Sequence, residues 1–274
     1  LPPSDRPPAE VRLALNGLIY RNSDPFGVSL GDINLTLRAG EIVGIAGISG
    51  NGQRELAALI SGEVPLAGRA RDMIAMMGAP VGHLGVAARR QAGFAFVPED
   101  RLGRGAVPEL SLSHNALLTA HGQGLVRRGV IRRAAEADFT RACIDGFDVR
   151  TPGPEAEAGA LSGGNLQKFI MGREILLAPR LLLVAQPTWG VDVGAASDIR
   201  QRLIRLRNEG AAILVISEEL EELFEICDRL HVLHKGHLSP SLHTHATSIE
   251  EVGSHMIGEG HSATPTATPT GAMA

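Results

Sequence analysis

Two glycine-rich segments, far apart in the chain, carry the residues best suited to chemistry. The first reads Gly47-Ile48-Ser49-Gly50-Asn51-Gly52-Gln53-Arg54, and the second Leu161-Ser162-Gly163-Gly164-Asn165-Leu166-Gln167-Lys168. A strand, a glycine-rich turn and a helix present several backbone N–H groups to one anion at the positive end of a helix dipole. Glycine lets the backbone curl through positive φ and come close to a phosphate, and Gly47, Gly50 and Gly52 meet that need. An active phosphate loop then requires Lys and Ser/Thr, for phosphate charge and Mg²⁺. Gln53 and Arg54 occupy those two positions. Gln53 donates hydrogen bonds without charge, and losing a charge-assisted contact costs about 1.5–3 kcal/mol. Arg54 brings a charge, but it starts a helix and can point away. Taken alone, this segment reads equally well as a strand–turn–helix with no ligand. The second segment, taken alone, is a Ser-Gly-Gly cap before an amphipathic helix.

The elements that must position these segments alternate. Short apolar runs at 41–46, 93–97, 181–185, 212–216 and 229–233 predict buried strands. Helices are predicted over 53–60, 165–177, about 195–208 and 218–226. Strands alternating with helices imply a parallel sheet covered on both faces. The opening stretch, 11–37, reads as strands and turns, and 110–177 reads as mostly helical. The ends differ in kind. Residues 1–10 hold four prolines and read as a linker. From 261 onward the chain is small, polar and proline-containing, and reads as disordered. The chain opens on Leu rather than Met, as a fragment or processed chain would.

Composition narrows the function. The 274 residues suffice for one large domain, and 44% hydrophobic residues allow a sizeable core. Aromatics are 3%, so that core must be aliphatic. A net charge of -4 argues against a nucleic-acid partner. Cys143 and Cys227 read as buried free thiols of a reducing compartment rather than a disulfide or metal site. No apolar run reaches the roughly 18 residues of a membrane span. His231, His234 and His237 do not share one face of a strand, so they read as solvent-facing side chains and no metal site is expected. The run Glu218-Glu219-Leu220-Glu221-Glu222 reads as a solvated helix face.

Together, in this order and separation, the two segments resemble the nucleotide-binding domain of an ATP-binding cassette (ABC) transporter. The resemblance covers roughly residues 10–260. It implies an α/β, P-loop (RecA-like) core with an N-terminal antiparallel β subdomain and a helical signature subdomain at about 105–178. Leu181 to Pro187, LLLVAQP, is similar to the acidic strand of such ATPases, with Ala185 where the family holds Mg²⁺ through Asp and Gln186 where its Glu polarises water. The following loop carries Asp192, as the family does. Glu218 stands where the family has a switch His, and Glu99 where it has a Gln contacting Mg²⁺ and the membrane partner. The signature Ser162-Gly163-Gly164-Asn165 is intact, with Asn165 in place of the common Gln. In the family this element clamps ATP on another cassette across a head-to-tail dimer. The resemblance places an aromatic under the adenine, Tyr20 first and Phe26 second. It also places Trp189 in the loop facing the partner cassette.

The forms GNGQ, VPEDR, LSGGNLQK and AQPTWGVDVGA are similar to the second, degraded half of tandem ATP-binding subunits that import simple sugars or nucleosides, and GNGQ with AQPT favours the nucleoside type. This implies a complete cassette fused upstream, transmembrane permease subunits and, indirectly, a periplasmic or lipoprotein solute-binding protein. It implies weak ATP at the chain's own site, Mg²⁺ only at the partner's site, and a peripheral place on the cytoplasmic side of the plasma membrane. Hydrolysis would belong to the assembled transporter. The alternative is a soluble non-transport ABC-like protein that acts as a nucleotide-gated interaction module. A P-loop kinase is disfavoured, since no phosphoryl-transfer lysine or Mg²⁺ ligand is left.

Overall fold

The computed structural model describes residues 9–257. The expected linker therefore lies outside the described residues except for its last two, and the expected tail lies wholly outside them. Strands β1 (Val11–Tyr20) and β2 (Leu30–Arg38) form an antiparallel pair. β3 (Ile42–Ala46) runs through the first glycine-rich turn into α1 (Gln53–Ser61). β4 (Ile74–Met76) and β5 (Ala79–Pro80) extend the antiparallel sheet, giving the order β2-β1-β4-β5. α2 (Val86–Gln91) and β6 (Phe94–Val97) follow. Next come α3 (Leu112–Ala120), a hairpin of β7 (Val126–Arg127) and β8 (Val130–Ile131), α4 (Arg133–Gly146) and α5 (Gly163–Ile175). The chain then alternates through β9 (Leu181–Ala185), α6 (Val193–Asn208), β10 (Ala212–Ser217), α7 (Leu220–Ile226) and β11 (Arg229–His234). β12 (His237–Leu238), β13 (Leu242–His243) and α8 (Ile249–Met256) complete it.

The main sheet runs β12-β11-β3-β10-β9-β6, and the contacts among β11, β3, β10, β9 and β6 are all parallel. Every residue of β3, β9 and β10 is buried. That is why these strands read as unbroken apolar runs rather than alternating ones. The alternation is hidden in which core each side chain joins. Ile42, Leu182, Val184, Ile213 and Val215 pack with Phe169, Ile199 and Leu223 from the helices of one face. Val43, Ile45, Leu183, Leu214 and Ile216 pack with Leu56 and Leu59 of α1 and with β1 and β2 on the other. Register places Ser217 beside Ala46, and Ile216 beside Ala185. The chain therefore leaves β3, β9 and β10 at one edge of the sheet, where parallel sheets place their ligands.

The stretch 110–177 is mostly helical, interrupted where Gly124 ends one helix and Arg128-Gly129, both at positive φ, close the β7–β8 hairpin. Three sequence expectations change. α7 starts at Leu220, not Glu218, because the Ser217 hydroxyl takes the Glu219 N–H at 3.1 Å. The acidic run is consequently not all solvated. Glu222 turns inward, accepts the Ser217 hydroxyl at 3.0 Å, and has its carboxyl pKa raised by burial. His231 is likewise buried rather than solvent-facing, its Nδ1 lying 2.8 Å from the Ser239 carbonyl, and burial lowers its pKa.

Candidate functional site

The turn between β3 and α1 borders a cleft of about 370 Å³ at that sheet edge. Gly50 and Gly52 adopt φ of +87° and +112°, as the turn requires. Gly47, Gly50, Gly52, Gln53 and Arg54 line the cleft with Glu99, Ala185, Gln186 and Glu218. The fold has therefore gathered candidates from four separate stretches of sequence. Asn51 lies in the same turn but faces elsewhere. Its Oδ1 accepts the Lys235 N–H at 2.7 Å, and its amide donates to the Ile48 carbonyl at 2.8 Å.

The turn is already bonded to itself. The Gln53 side chain folds back, accepting the Asn51 N–H at 2.9 Å and donating to the Ile48 carbonyl at 2.8 Å. A lysine there would instead leave that N–H to a ligand and present a charge. Arg54 lines the cleft but is already paired with the Asp100 carboxylate, which raises its pKa. Arg104, the other cation on the wall, pairs with Glu63. Four carboxylates line the same cleft, from Asp24, Glu55, Glu99 and Glu218. Ala185 ends β9 with only a methyl group. Gln186, held at φ +51°, turns its Oε1 towards the Ser217 hydroxyl and the Glu218 N–H, each at 3.3 Å. Oxygen ligands at the end of β9 would be needed for Mg²⁺, and Ala185 offers none, so this position does not fit the ion.

The second segment lies elsewhere. Ser162 caps α5, accepting the Asn165 N–H at 3.4 Å and the Asn165 amide at 2.9 Å. Asn165 is fixed in turn by the Arg150 N–H at 2.9 Å. Ser162 and Asn165 border an open surface with Arg150 and Pro152, and neither lines the phosphate-loop cleft. Asp192 likewise caps α6, accepting the Ala195 N–H at 2.9 Å, and this bond lowers its pKa. Those caps start α5 and α6 two residues earlier than the sequence pattern predicts.

Arg101 joins α5 to the loop before α6. Its Nε donates to the Gln167 Oε1 of α5 at 3.1 Å, and its Nη2 to the Trp189 carbonyl. The guanidinium lies 5.8 Å from the centroid of the Trp189 ring, and burial lowers its pKa. Both flanks are tight: a Cβ at Gly163 or Gly190 would lie 2.7 or 2.9 Å from the guanidinium nitrogens, so the Arg101 side chain would have to shift, and Gly190 also holds a φ of +68°. Trp189 is 60% exposed, so it is not a core residue.

One expected residue is displaced. Tyr20 ends β1, packs on the core under the antiparallel sheet, and does not line the cleft. Phe26 lines it instead and is 96% exposed, on a loop pinned by the Val28 N–H to Glu55 Oε1 bond at 2.9 Å. Strand pairing with Leu30 keeps Tyr20 on the sheet, whereas the turn that follows is free to project an aromatic. Arg101 and the bond from Glu218 to the Ser49 N–H were not singled out by sequence. Arg101 carries a local signal, ending the VPEDR run, but its partners lie far away in sequence.

The family profile described as "ABC transporter" matches residues 30–189. The chain belongs to the ABC transporter family. The cassette is 38% identical to the guanosine import ATP-binding protein NupO of Bacillus subtilis, over 92% of its own length and 49% of the relative's. It is 40% identical to ribose import ATP-binding protein RbsA 1 of Rubrobacter xylanophilus, over 89% of its length and 47% of the relative's. It is 38% identical to glucose import ATP-binding protein TsgD13 of Haloferax volcanii, over 85% and 42%. The cassette thus spans about half the length of these curated relatives. Its fold matches an ATP-binding subunit of an ABC transporter with a TM-score of 0.72 at 22% identity, covering 90% of this chain and 99% of that one. It also matches a dimeric ATP-binding cassette bound to ADP and Pi, with a TM-score of 0.73 at 20% identity, over 85% and 98%.

Proposed function

We propose that this cassette is the degenerate half of a composite ATPase that powers an ABC importer for simple sugars or nucleosides. Its Ser162-Gly163-Gly164-Asn165 element completes a partner cassette's ATP site, while its own cleft binds nucleotide weakly and without Mg²⁺. The observation that carries this reading is the separation of Ser162 from its own phosphate loop. The Ser162 hydroxyl accepts from Asn165 and keeps its own proton to donate outward, and α5 gives it a 13-residue helix dipole. An intact anion-binding terminus with no phosphate site of its own beside it fits a phosphate brought by another chain. The relatives' names support import as the process, and their range from guanosine to glucose supports solute choice lying in a permease and its binding protein. No described helix is long and apolar enough to cross a membrane, so the cassette would sit peripherally, against permease subunits on the cytoplasmic side. A complete cassette fused upstream would be the partner, consistent with a chain half the length of its relatives.

The test is Ser162→Arg in the assembled transporter. ATP hydrolysis and solute uptake should both be lost, while nucleotide binding by this cassette alone stays unchanged. Equal loss of binding by the cassette alone would assign Ser162 to a local site and refute the reading.

A further inference from the structure

The carboxylate of Glu218 accepts the backbone N–H of Ser49. Ser49 belongs to the turn whose N–H groups are the cleft's means of holding an anion. One end of that turn is thus already occupied by an anion of the protein's own. Glu218 is held there from both sides. Its own N–H donates to Gln186 Oε1 at 3.3 Å, and Gln186 is fixed by the Ser217 hydroxyl.

The cleft has a direction. The Phe26 ring stands on the loop bonded to Glu55, in the first turn of α1. Glu218 stands beyond the opposite end of the turn, next to Ser49 and the end of β10. A nucleoside against Phe26 would lay its first phosphates on the N–H groups at the start of α1, where the helix dipole favours them. Each further phosphate runs towards Ser49 and meets the Glu218 carboxylate. The guanidiniums of Arg54 and Arg104 on the wall are already paired with acids, so among the described residues no unpaired cation lines the cleft to offset the repulsion.

We propose that Glu218 measures the phosphate chain, so that this cleft prefers a nucleoside diphosphate or monophosphate over a triphosphate. The proposal rests on reading the cleft as a nucleotide site and deepens it: the cassette's own half would report the product form of the nucleotide rather than the fuel. Like charges brought together without a counter-ion cost enough to change affinity by about ten-fold or more.

Calorimetric titration of the 274-residue chain with AMP, ADP and ATP, in EDTA to keep Mg²⁺ from masking charge, tests this. ADP should bind about ten-fold more tightly than ATP. Glu218→Gln keeps the side chain's size and removes its charge. It should raise ATP affinity about ten-fold and leave ADP within about two-fold, erasing the preference. Glu218→Ser, with its melting temperature checked against wild type, should repeat the gain if the Gln variant folds poorly. ATP binding the wild type as tightly as ADP, or Glu218→Gln gaining nothing for ATP, overturns the proposal while leaving the nucleotide site standing. Binding of none of the three nucleotides by wild type or variant overturns the site itself, and the proposal with it.

Discussion

Removing Arg101 should loosen the loop that carries Trp189, and the size of the effect follows from its contacts. Arg101→Ala deletes two charge-assisted hydrogen bonds, to Gln167 Oε1 and to the Trp189 carbonyl. Each is worth about 1.5–3 kcal/mol when fully shielded. It also deletes a cation–π contact, worth about 0.5–1 kcal/mol at an exposed site. Solvent reaches this region, and screening cuts the polar terms to about a third of their shielded value. The expected loss is about 2 kcal/mol, or a melting temperature lower by roughly 4–8 °C for a domain of this size. The local consequence is more specific. Trp189 is the chain's single tryptophan, so its fluorescence reports this loop alone. In Arg101→Ala, Trp189 anisotropy should fall and acrylamide quenching should rise. Arg101→Lys, which keeps the charge but not the planar fork, should recover only part of both. An Arg101→Ala protein with unchanged anisotropy and quenching would mean that the loop is held by its own turn bonds, and that the bridge is incidental.

Three further outcomes are expected. The cassette alone should release phosphate from ATP negligibly, because Ala185 and Gln186 leave no carboxylate at the end of β9 for Mg²⁺ or for water; steady-state turnover at an ordinary transporter rate would refute this. Burial pushes the Cys143 thiol up to about 12 and Cys227 well above its ordinary value, so neither should react with a thiol reagent at pH 8 until the fold is opened by denaturant. The sign of the pH effect follows. An unfolded thiol loses its proton near 9.0, and folded Cys143 near 12, so stability is whole below pH 9 and falls as pH rises towards 12. Urea melts at pH 8 and pH 10.5 should show the loss, and Cys143→Ala should reduce it.

The strands were legible because a sheet covered on both faces writes itself as short apolar runs. β9 spans 181–185, as its sequence pattern predicts. Helix starts were less legible: Ser162 reads as a cap, but Gly163 and Gly164 carry no hydrophobic periodicity, and Asp192 caps α6 through side-chain geometry that periodicity does not encode. The β7–β8 hairpin was hidden because two-residue strands carry almost no pattern. Burial of Glu222 and His231 depends on a serine hydroxyl and a strand-end carbonyl brought in by tertiary contacts. The site's composition could be read from motif order, since Gly47, Gln53, Gln186 and Glu218 fall at the strand ends the fold brings together. Its state could not. Nothing local in Gln53 or Glu218 announces that one side chain folds into the turn and the other bonds the Ser49 N–H.

The two regions have reason to differ so sharply in condition. Ala185, Gln186 and Glu218 sit at the ends of β9 and β10, strands that are fully buried and follow β3 in the sheet. Gln186 there bonds the Ser217 hydroxyl and the Glu218 N–H through one amide oxygen, a local contact between those two strand ends. The Ser162 region is interlocked with several elements. A Cβ at Gly163 or Gly190 would force the Arg101 guanidinium to shift, and a Cβ at Gly164 would lie 3.3 Å from the Gly190 carbonyl. Ser162 fixes Asn165, and Asn165 fixes the backbone at Arg150. A substitution in this cluster therefore meets α5, the Trp189 loop and the Arg101 side chain at once. Under the proposed role, this interlocked helix terminus is the part presented to a partner, and the strand ends at Ala185 and Gln186 are the part that role does not use.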